Sequence, residues 1–258
     1  MKVFISVVSH GHGKLISSLD VLSKLNDNYK VVIKNNKSDP ELFEYSKSNN
    51  ITLLDFSYGA GFGENNNIVY QYCKSDLGMQ DNDYFIVLNP DVVIEKIAID
   101  LLISQQIENQ DNLVAINLFK DKLYNIPDNS VRKFPRLWDF FSSLVFKINK
   151  TLIDKNVLMD RATVDWVAGS FMSFKSVHYK KLKGFNEKYF MYCEDIDICY
   201  RSKNKGSSVI FYKNIKAIHY AQQDSRNIFS KNFVWHTISS MRFLLSKVGI
   251  YSFSSSIK

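Results

Sequence analysis

Tyr84-Phe85-Ile86-Val87-Leu88-Asn89-Pro90-Asp91 sets five continuous apolar residues against a turn of Asn, Pro and Asp. A run this short, β-branched and aromatic, predicts a strand buried on both faces over residues 84–88. The same grammar recurs upstream. Val3-Phe4-Ile5-Ser6-Val7-Val8 ends in Ser9-His10-Gly11, residues 29–33 end in Lys34-Asn35-Asn36, and residues 51–54 precede Gly59-Ala60-Gly61-Phe62-Gly63. Residues 15–25 carry helical apolar spacing, and Asp39-Pro40 supplies an N-cap followed by a first-turn proline. Buried strands alternating with helices predict an α/β fold with a mostly parallel central sheet and helices on both faces. Ligands then bind at the carboxyl ends of the strands.

Working downstream, a helix is predicted over residues 95–109 and a strand over 113–119. An irregular aromatic stretch covers 120–159, another strand 164–167, a helix starts near Glu194, and a strand-like run covers 216–220. The end of the chain reads as mostly helical. The 258 residues are 45% hydrophobic and 23% charged, which excludes a disordered or fibrous chain and suits one α/β domain. No apolar run approaches the roughly 20 residues that cross a bilayer, and the N-terminus lacks a cleavable signal pattern, so a cytoplasmic protein is expected. Cys73, Cys193 and Cys199 form no CxxC pair; reduced thiols are expected, and zinc held by cysteine is not.

Lys plus Arg number 33 against 26 Asp plus Glu, a net charge of +7. The excess lies at the end: beyond residue 200, Arg201, Lys203, Lys205, Lys213, Lys216, Arg226, Lys231, Arg242, Lys247 and Lys258 face a single acid, Asp224. Such a tail suits nucleic acid, a phosphate-bearing substrate or an anionic membrane surface. Phe229, Phe233, Trp235, Met241, Phe243, Leu244 and Leu245 interleave with Lys231, Arg242 and Lys247 at helical spacing, as in a helix lying in a lipid interface. Packing into the core accounts for the same pattern equally well.

Three segments could carry chemistry. A carboxylate fixed at a strand end, Asp91, can hold a hard cation such as Mg²⁺ or Mn²⁺ against diphosphate oxygens, although Asn-Pro-Asp is also an ordinary turn. In Tyr189-Phe190-Met191-Tyr192-Cys193-Glu194-Asp195-Ile196-Asp197 the acids complement a helix dipole, and Asp197 can pair with Arg201. Glu194 and Asp195 also follow an aromatic patch suited to a sugar ring, and Asp195 can accept a proton from a hydroxyl nucleophile. In Val164-Asp165-Trp166-Val167-Ala168-Gly169-Ser170, Trp166 could stack on a ligand and Gly169 admit one, or both could simply pack. His219 stands alone in sequence. No P-loop, GxSxG elbow or GxGxxG loop is present.

Taken in order, Ser9-His10, GAGFGENNN (59–67), LNPDV (88–92), VDWVAGSFM (164–172), KGFNEKYFMYCEDIDICYR (183–201) and AIHYAQQDSR (217–226) resemble family 2 glycosyltransferases, across nearly the whole chain. VRKFP (131–135), INKT (148–151) and FSKNFVWH (229–236) look closer to the bacterial rhamnosyltransferases of O-antigen assembly. The resemblance implies a GT-A fold, Rossmann-like, plus a basic helical C-terminus. It divides the chain into a nucleotide-sugar half (1–92), an acceptor and catalytic half (93–225) and an amphipathic segment (226–258).

It further implies an inverting, metal-dependent transferase with Asp195 as base and Asp91 and His219 on Mg²⁺ or Mn²⁺. Ser9, His10, Asn35, Gly61, Phe62, Asn66 and Asn89 would contact the nucleotide, and Trp166, Gly169, Ser170, Tyr192, Glu194 and Arg201 the sugars. The implied partners are dTDP-L-rhamnose, a polyprenyl-diphosphate-linked GlcNAc acceptor in α-1,3 linkage, and the inner face of the bacterial inner membrane. Relatives often read the base with an acid after the second strand, where this chain has Lys34-Asn35-Asn36. A UDP-hexose donor is the alternative. A nucleic-acid-binding protein is disfavoured, because no helix-turn-helix, RRM or KH signature appears.

Overall fold

A computed structural model describes residues 1–136, 151–220, 231–250 and 252–258. The 225/226 boundary, Arg226 and Phe229 lie outside the described residues, as do the side chains of Lys231 and Phe233. The first half is built from β1 (Val3–Ser9), α1 (Gly13–Leu19), α2 (Val21–Asn26), β2 (Lys30–Asn35), α3 (Pro40–Ser48), β3 (Thr52–Leu54), α4 (Phe62–Ser75) and β4 (Tyr84–Leu88). Next come β5 (Val92–Val93), α5 (Lys96–Glu108), β6 (Leu113–Phe119), β7 (Val131–Arg132), β8 (Ala162–Val164), β9 (Trp166–Val167) and β10 (Phe171–Lys175). The chain closes with α6 (Ser176–Lys181), α7 (Glu194–Asn204), β11 (Val209–His219) and α8 (Lys231–Lys247).

The main sheet runs β3-β2-β1-β4-β10-β6-β11-β5, with β8 added beside β11, while β7 and β9 form a small separate pair. β1 pairs in parallel with both β2 and β4, as the buried apolar runs predict, and β6 pairs in parallel with β11. Alternation along the strands feeds two cores. Phe4, Phe85, Val87 and Phe174 pack with Val69 and Tyr70 of α4 and Ile198 of α7, whereas Ile5, Val7, Ile86 and Leu88 pack with Ile16, Leu22, Leu42 and Ile99 on the other face.

Several expected elements differ. The helix over 15–25 breaks at Asp20, whose backbone is left-handed (φ 49°); its carboxylate bonds Ser23 Oγ at 2.6 Å. The strand over 164–167 is two short strands on different partners, β8 on β11 and β9 on β7. β10 was not expected, and it runs antiparallel to both neighbours, β4 and β6. The end of the chain is helical only through α8, after which Ser254 and Ser256 hydrogen-bond Asn186 and Glu187 and Ile257 enters the core. No helix among the described residues is long and apolar enough to cross a membrane.

Candidate active site

A cavity of about 370 Å³ opens beside the carboxyl end of β4. Of the residues expected to touch substrates, Phe62, Asn89, Trp166, Gly169, Ser170, Tyr192, Glu194, Asp195 and His219 line it. Tyr192 (φ 70°) and Cys193 (φ 64°) are consecutive non-glycine residues in left-handed conformation, so strain sits where the chain turns into α7. That turn aims the first two residues of α7, Glu194 and Asp195, into the cavity.

Asp195 is held through backbone groups: the Gly169 N–H donates to Oδ2 at 3.3 Å and the Ile196 N–H to Oδ1 at 2.8 Å. Burial pushes its pKa above the ordinary aspartate value despite those bonds and the charge of Arg132. Burial, then the charge of Asp195, pushes Glu194 well up. Glu194 Oε2 and Ser170 Oγ are buried and have no hydrogen-bond partner among the described residues. A side chain at Gly169 would press on the Phe62 ring at 2.9 Å, and one at Gly61 on the Phe190 carbonyl at 2.5 Å. These two glycines therefore let α4 close against the cavity loops.

Asp91 follows β4, and His219 ends β11 beside it through the β5 pairing. His219 Nε2 lies 3.5 Å from Asp91 Oδ1, and His219 Nδ1 lies 3.0 Å from Asp128 Oδ2. Asp128 in turn meets buried Lys155 at 2.9 Å and accepts from Ser130 Oγ at 2.5 Å. Burial raises the Asp128 carboxyl, but His219, Lys155 and Ser130 overcome it and hold the pKa at about 2. Burial likewise lowers His219, yet Asp128 and Asp91 outweigh it and bring the imidazole to about 9. Among the described residues no three His, Cys, Asp or Glu side chains form a metal cage by themselves. With its pKa at about 9, the metal-free imidazole holds both protons at neutral pH and bridges Asp91 and Asp128, so His219 could ligate an ion only after losing its Nε2 proton.

Other expected site residues are engaged elsewhere. Asn66 is fully buried; it accepts from Ser6 Oγ at 2.7 Å and donates to Phe62 O at 2.9 Å, tying α4 to β1 and leaving no reach to a nucleotide. Arg201 pairs with Asp197 at 2.7 Å, as the i,i+4 spacing predicts, and its guanidinium also binds the Leu182 and Gly184 carbonyls. It braces the loop before α7 and does not face the cavity. Arg132 of β7 lines the cavity, its guanidinium 5.3 Å from the Trp166 ring.

At the ends of β1 and β2, Ser9 is buried and His10 exposed. Asn35 is buried and donates to Asp55 Oδ1 at 2.8 Å. An exposed acid thus stands beside Asn35, coming from the end of β3 and not from β2. Asp128, Arg132 and Asp55 carried no role in the sequence reading. A carboxylate directly after the apolar run 51–54 was a signal for Asp55, but none marked Asp128, which lies 91 residues from the histidine it binds.

No family model matches the chain. Rhamnosyltransferase WbbL of Escherichia coli (strain K12) is 38% identical over 248 residues, 95% of this chain and 93% of that protein. The chain belongs to the family 2 glycosyltransferases of GT-A fold. The enzyme is also 24% identical over 228 residues to the low-salt glycan biosynthesis hexosyltransferase Agl10 of Haloferax volcanii, covering 88% of this chain and 70% of that one. The mannosyltransferase PcManGT of Pyrobaculum calidifontis, solved with GDP-Man and Mn²⁺, aligns with a TM-score of 0.60 at 13% identity, over 98% of this transferase and 66% of that chain. S. aureus TarS 1–349 with UDP-GlcNAc aligns with a TM-score of 0.60 at 11% identity, over 99% of this chain and 69% of that one, and this chain spans 41% of a longer TarS chain. At those identities the structures bear on the fold alone.

Proposed function

We propose that the enzyme transfers L-rhamnose with inversion from dTDP-L-rhamnose to GlcNAc on polyprenyl diphosphate, in α-1,3 linkage, in O-antigen and lipopolysaccharide assembly on the inner face of the inner membrane. Near full-length similarity to a protein named a rhamnosyltransferase supports the donor. The observation carrying the chemistry is Asp195, a half-buried carboxylate in the same cavity wall as Asn89 and His219.

In this reading the acceptor hydroxyl attacks the anomeric carbon as its proton passes to Asp195, and the bond from that carbon to the diphosphate oxygen breaks on the opposite face. The elevated pKa of Asp195 makes it a better base than an exposed aspartate. Arg132 offers a cation to the developing negative charge, and Glu194 and Ser170 hold sugar hydroxyls. Asp55 beside Asn35 reads the base edge. Asp91 and, once its Nε2 proton is displaced, His219 would hold a divalent ion, Mg²⁺ or Mn²⁺. Bound there, the ion would supply Lewis-acid neutralisation of the leaving diphosphate.

A UDP-hexose donor is the second reading, and the name hexosyltransferase of the Haloferax relative keeps a hexose other than rhamnose in play. Thymine and uracil differ by one methyl group, a contrast that a pocket reads weakly. Incubation with dTDP-L-rhamnose, UDP-glucose, UDP-galactose and UDP-GlcNAc and a lipid-diphosphate-GlcNAc acceptor decides: product from dTDP-L-rhamnose alone is expected, and product from a UDP-sugar alone overturns the donor assignment.

A further inference from the structure

Helix α8 carries apolar residues on opposite faces. Phe243 is fully buried, its ring 5.7 Å from that of Tyr200 on α7. Away from it, Val234, Ile238, Met241, Leu245 and, just past the helix, Val248 recur at steps of four, three, four and three residues. They are 53, 50, 55, 41 and 70% exposed, a continuous aliphatic stripe. Scattered exposed apolar residues need no explanation, but a stripe does.

The charge around it selects the occupant. No Asp or Glu occurs in α8 or anywhere after Asp224, whereas Arg226, Lys231, Arg242, Lys247 and Lys258 do. Lys247 is turned inward onto the Pro135 carbonyl at 3.1 Å, so it is not at this surface. Arg242 is likewise engaged, its guanidinium donating to the Lys188 carbonyl and lying 5.6 Å from the buried Tyr189 ring, which leaves exposed Lys188 as the basic side chain beside the stripe. On the same flank Phe190 and Trp235 stack with centroids 4.7 Å apart. Apolar centre, aromatic pair and basic edge form the profile of an interfacial helix. A second copy packing stripe to stripe would bring another α8, which carries no acid to pair the cations beside the stripe. His236 of α8 lines the active-site cavity, so the stripe and the cavity mouth share one helix.

We propose that the α8 face formed by Val234, Ile238, Met241, Leu245 and Val248 inserts into the headgroup layer of an anionic bilayer, with Lys188 at lipid phosphates. The purpose of that docking, presenting the cavity to a lipid-borne acceptor, rests on the function proposed above; the docking itself does not.

The test is co-sedimentation of the full chain, without donor or acceptor, with phosphatidylglycerol–phosphatidylethanolamine vesicles and with phosphatidylcholine vesicles. Ile238→Ser/Met241→Ser/Leu245→Ser and Lys188→Glu are compared with wild type. Wild type is expected to bind the anionic vesicles, the triple variant to lose about tenfold or more, and Lys188→Glu to bind less with a weaker salt dependence. The triple variant should keep the wild-type Tm and its rate on a soluble acceptor. Absence of wild-type binding, or equal binding by the triple variant, overturns the proposal. A wild-type dimer that becomes monomeric in the triple variant without vesicle binding gives the face to a second copy. A drop in Tm in the triple variant with no wild-type vesicle binding gives it to the chain's own residues, 137–150 included. Because the readout uses no substrate, a wrong donor leaves it intact.

Discussion

Asp128 Oδ2 lies 3.0 Å from His219 Nδ1, which leaves Nε2 as the imidazole atom facing Asp91. Asp128 therefore positions His219 without itself reaching the cavity. Asp128→Asn should weaken Mn²⁺ affinity by about 10- to 100-fold, the usual cost of losing such a partner. The change also strands buried Lys155, at a cost of about 3–5 kcal/mol. Asp128→Asn combined with Lys155→Met separates the two effects: Tm should recover and metal affinity should not. Recovery of both in calorimetry would make Asp128 purely structural.

If Asp91 acts through a divalent ion as proposed, Asp91→Ala should reduce nucleoside diphosphate affinity only when Mg²⁺ or Mn²⁺ is present. Chelation of wild type should give the same affinity as the variant. Equal dTDP affinity with and without metal in wild type would remove Asp91 from that role.

Asp195→Asn should cut turnover by about 10²- to 10⁴-fold with donor affinity unchanged, since the amide keeps the shape but takes no proton. Burial raises the Asp195 pKa, so the acid limb of kcat/KM should lie above the pH at which an exposed aspartate ionises. The sign for stability follows from the same shift. A raised carboxyl contributes stability that is full below its unfolded pKa and lost as pH rises through the folded pKa, a slope in Tm against pH that Asp195→Asn should flatten while removing activity. An unchanged slope in the variant would refute this account of the carboxyl.

The strands were legible because each buried run carries its own period and ends in its own turn. The placement of Asp91 just past a strand, the placement of Asp195 at a helix start and the Asp197–Arg201 pair were legible for the same reason, since each sits at a fixed offset from an element boundary. Asn66 and Arg201 misled: polar residues inside a motif resemble ligands, yet their partners are Ser6 and the Leu182 and Gly184 carbonyls, far away in sequence. β10 was invisible because a strand between two others has no local mark of its direction. Asp128 and Arg132 lie in a stretch without periodicity, and only tertiary pairing brings them to the cavity.

His178 on α6 is buried with Nε2 2.8 Å from Ser202 Oγ, and burial, aided by Lys181 and Lys205, lowers its pKa to about 4. A histidine kept neutral in the folded state takes up a proton on unfolding between pH 6.5 and 4, so stability falls with pH across that window. The loss is on the order of 3 kcal/mol. His178→Gln should flatten this slope while leaving neutral-pH activity intact, because the residue lies outside the cavity. Urea denaturation of both proteins at pH 7, 5.5 and 4.5 checks it, and parallel slopes would exclude His178 as the cause.

The end of the chain should be part of the catalytic body. Phe243 packs on Tyr200 of the helix that carries Asp195, Ser239 Oγ binds Met191 O at 2.9 Å beside the strained Tyr192–Cys193 turn, and Ile257 fills the core behind α4. Phe243→Ala is expected to cost about 3–5 kcal/mol, the range for removing a buried phenylalanine. Its effect on catalysis should exceed that of the exposed Met241→Ala on the same helix, because only Phe243 supports the turn that aims Glu194 and Asp195. Removing residues 252–258 should also destabilise the fold, since it deletes Ile257 and frees Asn186 and Glu187 from Ser254 and Ser256. Denaturant midpoints for both changes test this. A truncated protein with wild-type midpoint and turnover would show that the terminus is only appended to a complete domain.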